Sequence, residues 1–298
     1  MAKPDLSVVV ASCVGPPFVT RCLESIEPQL EAGEIEVIVA DRAGGDVAAG
    51  IEQRFPWVRL IRRPAGESVP DLRRHAIEEA RADYVAIIEE HCMADKDWIA
   101  TIRKCLQEPR AAIGGVVVDN DYPRLMDWAV YFTEYNGYMP PLERGDIYDV
   151  CAANCVYRRD LLLKNLPAQG SGYWEASLNT QLLQQGERFL GEPALIVRHT
   201  GPFGMGYYLG QRFLFSRAFA GTRRAHLSTG YKLAYLVLAP LLVPLLWARM
   251  ASRVFAKRHR LGKFLLVTPH LIPITATYVL GEWVGLLTGP GDSLSRIE

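Results

Sequence analysis

The chain has 298 residues, 49% of them hydrophobic, and its 33 basic and 33 acidic residues leave no formal net charge. That length suffices for one large domain and an appendage, and the even charge gives no electrostatic footprint for a nucleic-acid partner, so none is expected. The six cysteines form no C-x-x-C pair and match no zinc spacing, so they are read as reduced thiols in apolar segments.

After Met1-Ala2-Lys3-Pro4-Asp5 the chain enters an apolar run with no signal-peptide pattern, from which a cytoplasmic setting is expected. Leu6–Ala11, Ile35–Ala40, Trp57–Ile61 and Tyr84–Ile88 are short, β-branched, nearly continuous apolar runs, the pattern of parallel strands buried on both faces. Phe18–Leu30, Val47–Phe55 and Val69–Arg81 lie between them and read as helices, with Pro16-Pro17 opening the first. Strand–helix alternation predicts a doubly wound α/β sheet.

The predicted strands end in polar residues. Asp41 closes the second run, and Glu89-Glu90-His91 closes the fourth. Ligands of open α/β sheets sit outside the carboxyl ends of the strands, and carboxylate and imidazole donors suit a divalent cation. Taken alone, each cluster fits equally well a polar strand end entering a solvated loop, or, for Asp41, a helix cap.

The middle third is less regular. Trp98–Leu106 reads as helix and Ile113–Val118 as strand. Met126–Tyr138 is rich in aromatics, with the spacing of core packing and an acceptor groove as the alternative. Tyr148–Tyr157 reads as strand and Asp160–Asn165 as helix. A turn at Gly170-Ser171-Gly172 leads to Tyr173-Trp174-Glu175 and a helix to Gln185, and Pro193–His199 is a strand ending in His.

The last third is apolar and basic. Leu233–Ala248 and Phe264–Leu280 flank a cluster of Arg249, Arg253, Lys257, Arg258, His259, Arg260 and Lys263. Membrane contact is expected, with soluble-bundle helices as the alternative. Each apolar core is about 16–17 residues long and carries two prolines, at 240 and 244 or at 269 and 273. Short, broken segments favour a re-entrant or in-plane pair, with the basic loop at the cytoplasmic headgroups.

Several motifs, in order, resemble family 2 glycosyltransferases of the GT-A fold. Ser7-Val8-Val9-Val10-Ala11-Ser12 stands where the family has a Val-rich strand ending Pro-Thr, followed by Cys22-Leu23-Glu24-Ser25-Ile26 and Gln29. Val37-Ile38-Val39-Ala40-Asp41 with Asp46 resembles Val-Asp-Asp-Gly-Ser-x-Asp. Leu72-Arg73-Arg74-His75-Ala76 takes the place of Ala-Arg-Asn-x-Gly, and Ile88-Glu89-Glu90-His91 that of the Asp-x-Asp metal motif, with Trp98 beyond it. Ala152–Arg159 resembles Gly-x-Asn-x-x-x-Arg, Trp174-Glu175 the acidic pair that supplies a base, and Ile196-Val197-Arg198-His199 the Val-x-His segment. The chain departs from the pattern at Glu89-Glu90-His91, at Arg42-Ala43-Gly44 and at Arg74.

The resemblance implies a GT-A α/β fold, a mostly parallel sheet flanked by helices, followed by C-terminal hydrophobic membrane helices. Residues 1–120 would form the nucleotide-sugar half, 121–225 the acceptor and catalytic half, and 226–298 the membrane-associated region. It implies an inverting hexosyl transfer from a nucleotide-sugar, a UDP-sugar foremost, to a lipid-linked or polysaccharide acceptor at the cytoplasmic face of the membrane. Glu175 would be the base. Ala11, Ser12, Asp41, Arg73, Glu90, Arg212 and Arg217 would bind the donor. Glu89, His91 and His199 would hold Mn2+ or Mg2+, and Asn154 and Trp174 would meet the acceptor. The alternatives are a catalytically degenerate, membrane-bound nucleotide-sugar-binding module and a nucleotidyltransferase, the latter lacking a Lys-bearing phosphate loop at Cys13-Val14-Gly15-Pro16. A processive synthase is disfavoured, because Gln211-Arg212-Phe213-Leu214-Phe215 lacks the Gln-x-x-Arg-Trp signature.

Overall fold

The structure is a computed structural model and describes residues 3–30, 34–166 and 175–297. In chain order it contains β1 (Leu6–Ser12), α1 (Phe18–Ile26), β2 (Ile35–Asp41), α2 (Gly45–Arg54), β3 (Val58–Arg62), α3 (Val69–Glu79), β4 (Tyr84–Ile88) and β5 (Cys92–Ala94). There follow α4 (Trp98–Cys105), β6 (Ala112–Val118), α5 (Leu125–Tyr135), β7 (Gly145–Ile147), β8 (Asn154–Arg158), α6 (Arg159–Asn165), α7 (Glu175–Gln184) and β9 (Phe189–His199). The chain ends in α8 (Met205–Arg223), α9 (Thr229–Leu238), α10 (Leu242–Lys257) and α11 (Leu261–Thr288). By packing it divides into two compact units, Met1–Asn120 with Tyr138–Thr200, and Asp121–Gly137 with Gly201–Glu298.

The first unit is an α/β sheet in the order β3-β2-β1-β4-β8-β6-β9-β5, with β7 on β9. The expected parallel run is present as β3, β2, β1 and β4. All seven residues of β1 are buried, as a Val-rich strand covered on both faces requires. Helix α1 turns Val19, Cys22, Leu23 and Ile26 inward at the spacing of an amphipathic helix. Ser68 caps α3 by accepting from the Asp71 N–H, with Pro70 in the first turn.

Past β4 the sheet is mixed: β8 is antiparallel to β4 and β6, while β9 is parallel to β6. Strands β5 and β7 have three residues each, too few for a periodic signal. Strand β9 starts at Phe189, earlier than the expected Pro193, because a register shift opposite Gly114–Val116 bulges the proline out of the ladder. Gly115 makes this crossing possible: a Cβ there would stand 2.2 Å from both Asn154 Nδ2 and the Leu195 carbonyl oxygen.

Opposite the strand carboxyl ends, Glu36 fastens three elements. It accepts from Ser7 Oγ on β1 at 2.5 Å, and from the N–H and guanidinium of Arg81 at 2.6 and 2.8 Å. Ser7 Oγ accepts in turn from Ala82 N–H at 3.0 Å, just before β4.

The second unit is helical. Its packing centre includes Trp128, Tyr131, Phe132 and Tyr135 of α5, all buried and in mutual ring contact, so the aromatic stretch is core. Helices α8 and α11 cross closely: a Cβ at Gly281 would meet Ser216 Oγ at 2.0 Å, and one at Gly285 the Arg217 carbonyl oxygen at 2.4 Å. Helices α9 and α10, joined by a 3-10 turn at Ala239–Leu241, make a 29-residue apolar stretch, and α11 has 28 residues. Both are long and apolar enough to cross a membrane, and a 28-residue helix spans about 42 Å. The sequence reading of two short segments broken by proline is met at Pro240, which lies in the 3-10 turn dividing α9 from α10, and is corrected for the second segment. Pro269 and Pro273 lie inside α11 without ending it, since α8, α5 and α10 pack along the helix and hold it together.

Burial pushes the Glu36 carboxyl up, but the bonds from Ser7 and Arg81 outweigh it and hold it below its ordinary value. A carboxyl depressed in the folded state stabilises fully above its ordinary value, and that contribution is lost as pH falls through the folded value. Glu36→Gln is expected to cost about 1–3 kcal/mol at neutral pH and to flatten the acid limb of the stability curve, measured by denaturant unfolding across pH. An acid limb unchanged from wild type would refute this role.

Candidate active site

The carboxyl ends of β1, β2 and β4 bring polar groups together. Ser12 and Asp41 face each other in the β1–β2 register, and Ser12 Oγ donates to Asp41 Oδ1 at 2.6 Å. Ala43 N–H also reaches Oδ1, at 3.4 Å. Among the described residues both of these bonds fall on Oδ1, which leaves Oδ2 for a base or ribose hydroxyl. Ala11 supplies backbone beside them in β1, and its side chain is buried.

Glu90 follows β4 and is 4% exposed. Its Oε1 accepts from the N–H groups of Cys13 and Val14 at 2.9 and 3.0 Å, and its Oε2 from Gly15 N–H at 3.2 Å. Gly15 adopts φ of +82°, a left-handed conformation that favours glycine and lets the loop wrap the carboxylate. Burial and the nearby Asp41 push the Glu90 carboxyl up to about 7, while the three N–H donors pull it back. Both oxygens of Glu90, expected to bind the donor, accept from the loop after β1, so the residue shapes that loop from beneath.

Arg73 of α3 bridges two carboxylates. Its guanidinium reaches Glu89 Oε1 at 3.2 Å and Glu175 Oε2 at 3.6 Å, and its side chain is 8% exposed. Glu175 is the first residue of α7. Burial raises its carboxyl above the ordinary value, Arg73 opposes that, and Glu89 and Asp149 add to it.

His91 stacks at a tilt on Phe18, with ring centroids 4.5 Å apart. His199 ends β9 opposite Cys92 of β5, and Thr200 beyond it donates its N–H and Oγ1 to the His91 carbonyl at 2.6 and 3.0 Å. The two histidines are therefore neighbours across the strand pair. Burial, reinforced by His91, lowers His199 to about 3.

Among the described residues no three His, Cys, Asp or Glu side chains are grouped to hold a metal. Of the expected set of Glu89, His91 and His199, Glu89 is engaged by the Arg73 guanidinium, while His91 and His199 lie on the adjoining strand pair.

Asn154, expected to meet the acceptor, is 0% exposed, donates to the carbonyls of Val116 and Leu195 at 3.0 and 2.8 Å, and accepts from Trp98 Nε1 at 2.9 Å. It locks three strands to α4. Arg212 and Arg217 belong to the second unit and are engaged there. Arg212 pairs with Glu134 at 3.0 Å and lies over the rings of Tyr208 and Phe215, while Arg217 donates to the Gly289 carbonyl at 3.3 Å. Trp174 and the Gly170–Gly172 turn lie outside the described residues.

Sequence reasoning missed one network. Tyr138 donates to Asp149 Oδ2 at 2.5 Å, Asn179 to Asp149 Oδ1 at 2.7 Å and to the Val150 carbonyl at 2.9 Å, and Tyr157 to Asn179 Oδ1 at 2.6 Å. Asn179 lies four residues after Glu175, on the same face of α7, and that spacing was the available signal.

A model described as "Glycosyl transferase family 2" matches residues 7–166. No curated protein matches the chain. Among solved structures, the mannosyltransferase PcManGT from Pyrobaculum calidifontis, in complex with GDP-Man and Mn2+, is 18% identical. That match covers 97% of this chain and 88% of the other, at a TM-score of 0.59. S. aureus TarS 1-349 in complex with UDP-GlcNAc is 14% identical over 93% of this chain and 90% of the other, at 0.52. GalNAc-T7 with UDP, GalNAc and Mn2+ is 13% identical over 67% of this chain and 44% of the other, at 0.52. At these identities the likeness is one of fold.

Asn154→Ala should cost about 2–4 kcal/mol, because it strands the Trp98 N–H and two buried carbonyls. Chemical denaturation measures this. A fold of unchanged stability with a raised acceptor KM would restore the acceptor role instead.

Proposed function

The chain belongs to glycosyl transferase family 2, and from that premise we propose that it moves a sugar, with inversion, from a nucleotide-sugar to a membrane-proximal acceptor, assisted by a divalent metal. The observation that carries this reading is the placement of Glu175 at the head of α7 beside Arg73, which also holds Glu89 at the end of β4.

Asp41, oriented by Ser12, accepts a hydrogen bond from the base or ribose of the donor. His91 and His199 would hold the cation, which supplies charge neutralisation for a leaving diphosphate. Glu175 takes the proton of the acceptor hydroxyl as the new glycosidic bond forms and the bond to diphosphate breaks. A carboxyl raised by burial is a stronger base than one in water, and Arg73 opposes the rise, favouring the ionised form. The membrane-proximal acceptor, lipid-linked or polysaccharide, is read from the second unit, an anchor at the cytoplasmic face. The exposed Leu233, Val237, Leu241 and Leu245 of its long apolar helices support that reading.

A panel of UDP- and GDP-sugars, assayed with and without Mn2+ or Mg2+ for diphosphate release, is expected to reveal a metal-dependent donor. Donor binding with no release under any metal would favour a binding module without turnover. Glu175→Gln should lower kcat about 1,000-fold and change donor KM by less than about 3-fold. Full turnover in that variant would remove Glu175 from the mechanism. His199→Gln should raise the half-saturating Mn2+ concentration roughly 10-fold or more. An unchanged metal requirement would move the cation elsewhere.

A further inference from the structure

The stretch that carries helices α8 to α10 and most of α11 has a one-sided charge. No Asp or Glu lies between Glu192 and Glu282, while Arg249, Arg253, Lys257, Arg258, Arg260 and Lys263 crowd the junction of α10 and α11. Arg258 and Arg260 both hold left-handed backbone there, with φ of 51° and 56°. Arg258 and Lys263 are exposed, as are Phe255 at 48% and Leu265 and Leu266 at 55% each. Cations set among exposed apolar side chains suit an anionic surface with an apolar layer beneath it.

The same turn is fastened to the segment that carries α5. Arg260 pairs with Asp121, and Arg253 donates to Asn136 at 2.9 Å. Arg260 and Lys263 each lie 5.3 Å from the Trp128 ring, and Phe264 meets Phe132 edge-on at 5.3 Å. Asp121 is bonded to Asn120, and Asn136 stands two residues before Tyr138, so the turn is tied to both ends of a segment whose neighbours in the chain belong to the first unit. Covalent continuity then governs topology. A hairpin of α10 and α11 that carried its turn across a bilayer would drag residues 121 and 136 with it.

We infer that the α10–α11 turn is a docking site for anionic phospholipid headgroups, on the same side of the membrane as residues 120 and 138. The inference rests on reading the second unit as a membrane anchor, and it adds the lipid chemistry and the side.

The test is flotation of the full-length protein with phosphatidylcholine vesicles, with and without phosphatidylglycerol, at low and high salt. Binding to phosphatidylglycerol vesicles should exceed binding to phosphatidylcholine alone. Arg258→Gln with Lys263→Gln should weaken the former about 10-fold and leave the latter unchanged, and salt should mimic the variant. Equal binding to both vesicles, or a preference untouched by variant and salt, would overturn the proposal and leave the anchor standing. Failure to bind either vesicle would overturn the anchor and the proposal together. An epitope inserted between Arg258 and His259, in protein added to preformed vesicles, should be open to antibody outside. Protection inside the vesicle would overturn the assigned side.

Discussion

A carboxylate buried at the end of a strand must find donors, and Glu90 finds three in the loop after β1. That clasp ties the carboxyl ends of β1 and β4 together and fixes the floor on which the other polar groups stand. Residues 89–91 form the turn between β4 and β5, so with Glu90 drawn under the loop its neighbours Glu89 and His91 take other directions. Glu89 meets Arg73, and His91 meets Phe18 and the strand end bearing His199. Three consecutive polar residues thus serve three structural purposes.

The parallel half of the sheet was legible because its strands are long β-branched runs between periodic helices. The strand ends were legible too, since Ser12, Asp41 and Glu89 break those runs abruptly. Three-residue strands carry no period, which hid β5 and β7, and the bulge around Pro193 masked the early start of β9. At the site, a sequence cannot tell which of two adjacent carboxylates faces inward, so Glu90 was assigned to a ligand when it serves the loop. Nor does it reveal that Asn154 sits where Gly115 lets three strands close on one amide.

The apolar helices teach a related lesson about proline. In a chain read residue by residue, Pro269 and Pro273 are stop signals, because each removes a backbone donor. In the folded unit, α11 continues through both, with Thr268 and Thr275 turning their hydroxyls back onto the carbonyls of Phe264 and Leu271. Helix length there is set by the surface offered by α8, whose Ser216 and Arg217 backbone accept Gly281 and Gly285 at close range.

The role of base proposed for Glu175 gives a purpose to the sharing of Arg73 between two carboxylates. A base must be ionised to take a proton, yet the burial that makes it strong also makes it prefer to be neutral. Glu89 and Asp149 push in the same direction as burial, and the Arg73 cation pushes against them. An arginine committed to Glu175 alone would over-stabilise the anion and weaken the base. Divided between Glu175 at 3.6 Å and Glu89 at 3.2 Å, the guanidinium offsets both charges and leaves Glu175 raised. Asp149 is itself fixed by Tyr138 and by Asn179 of α7. One of the groups that set the proton affinity of Glu175 is thus anchored to the helix that carries it, which couples that affinity to the position of α7.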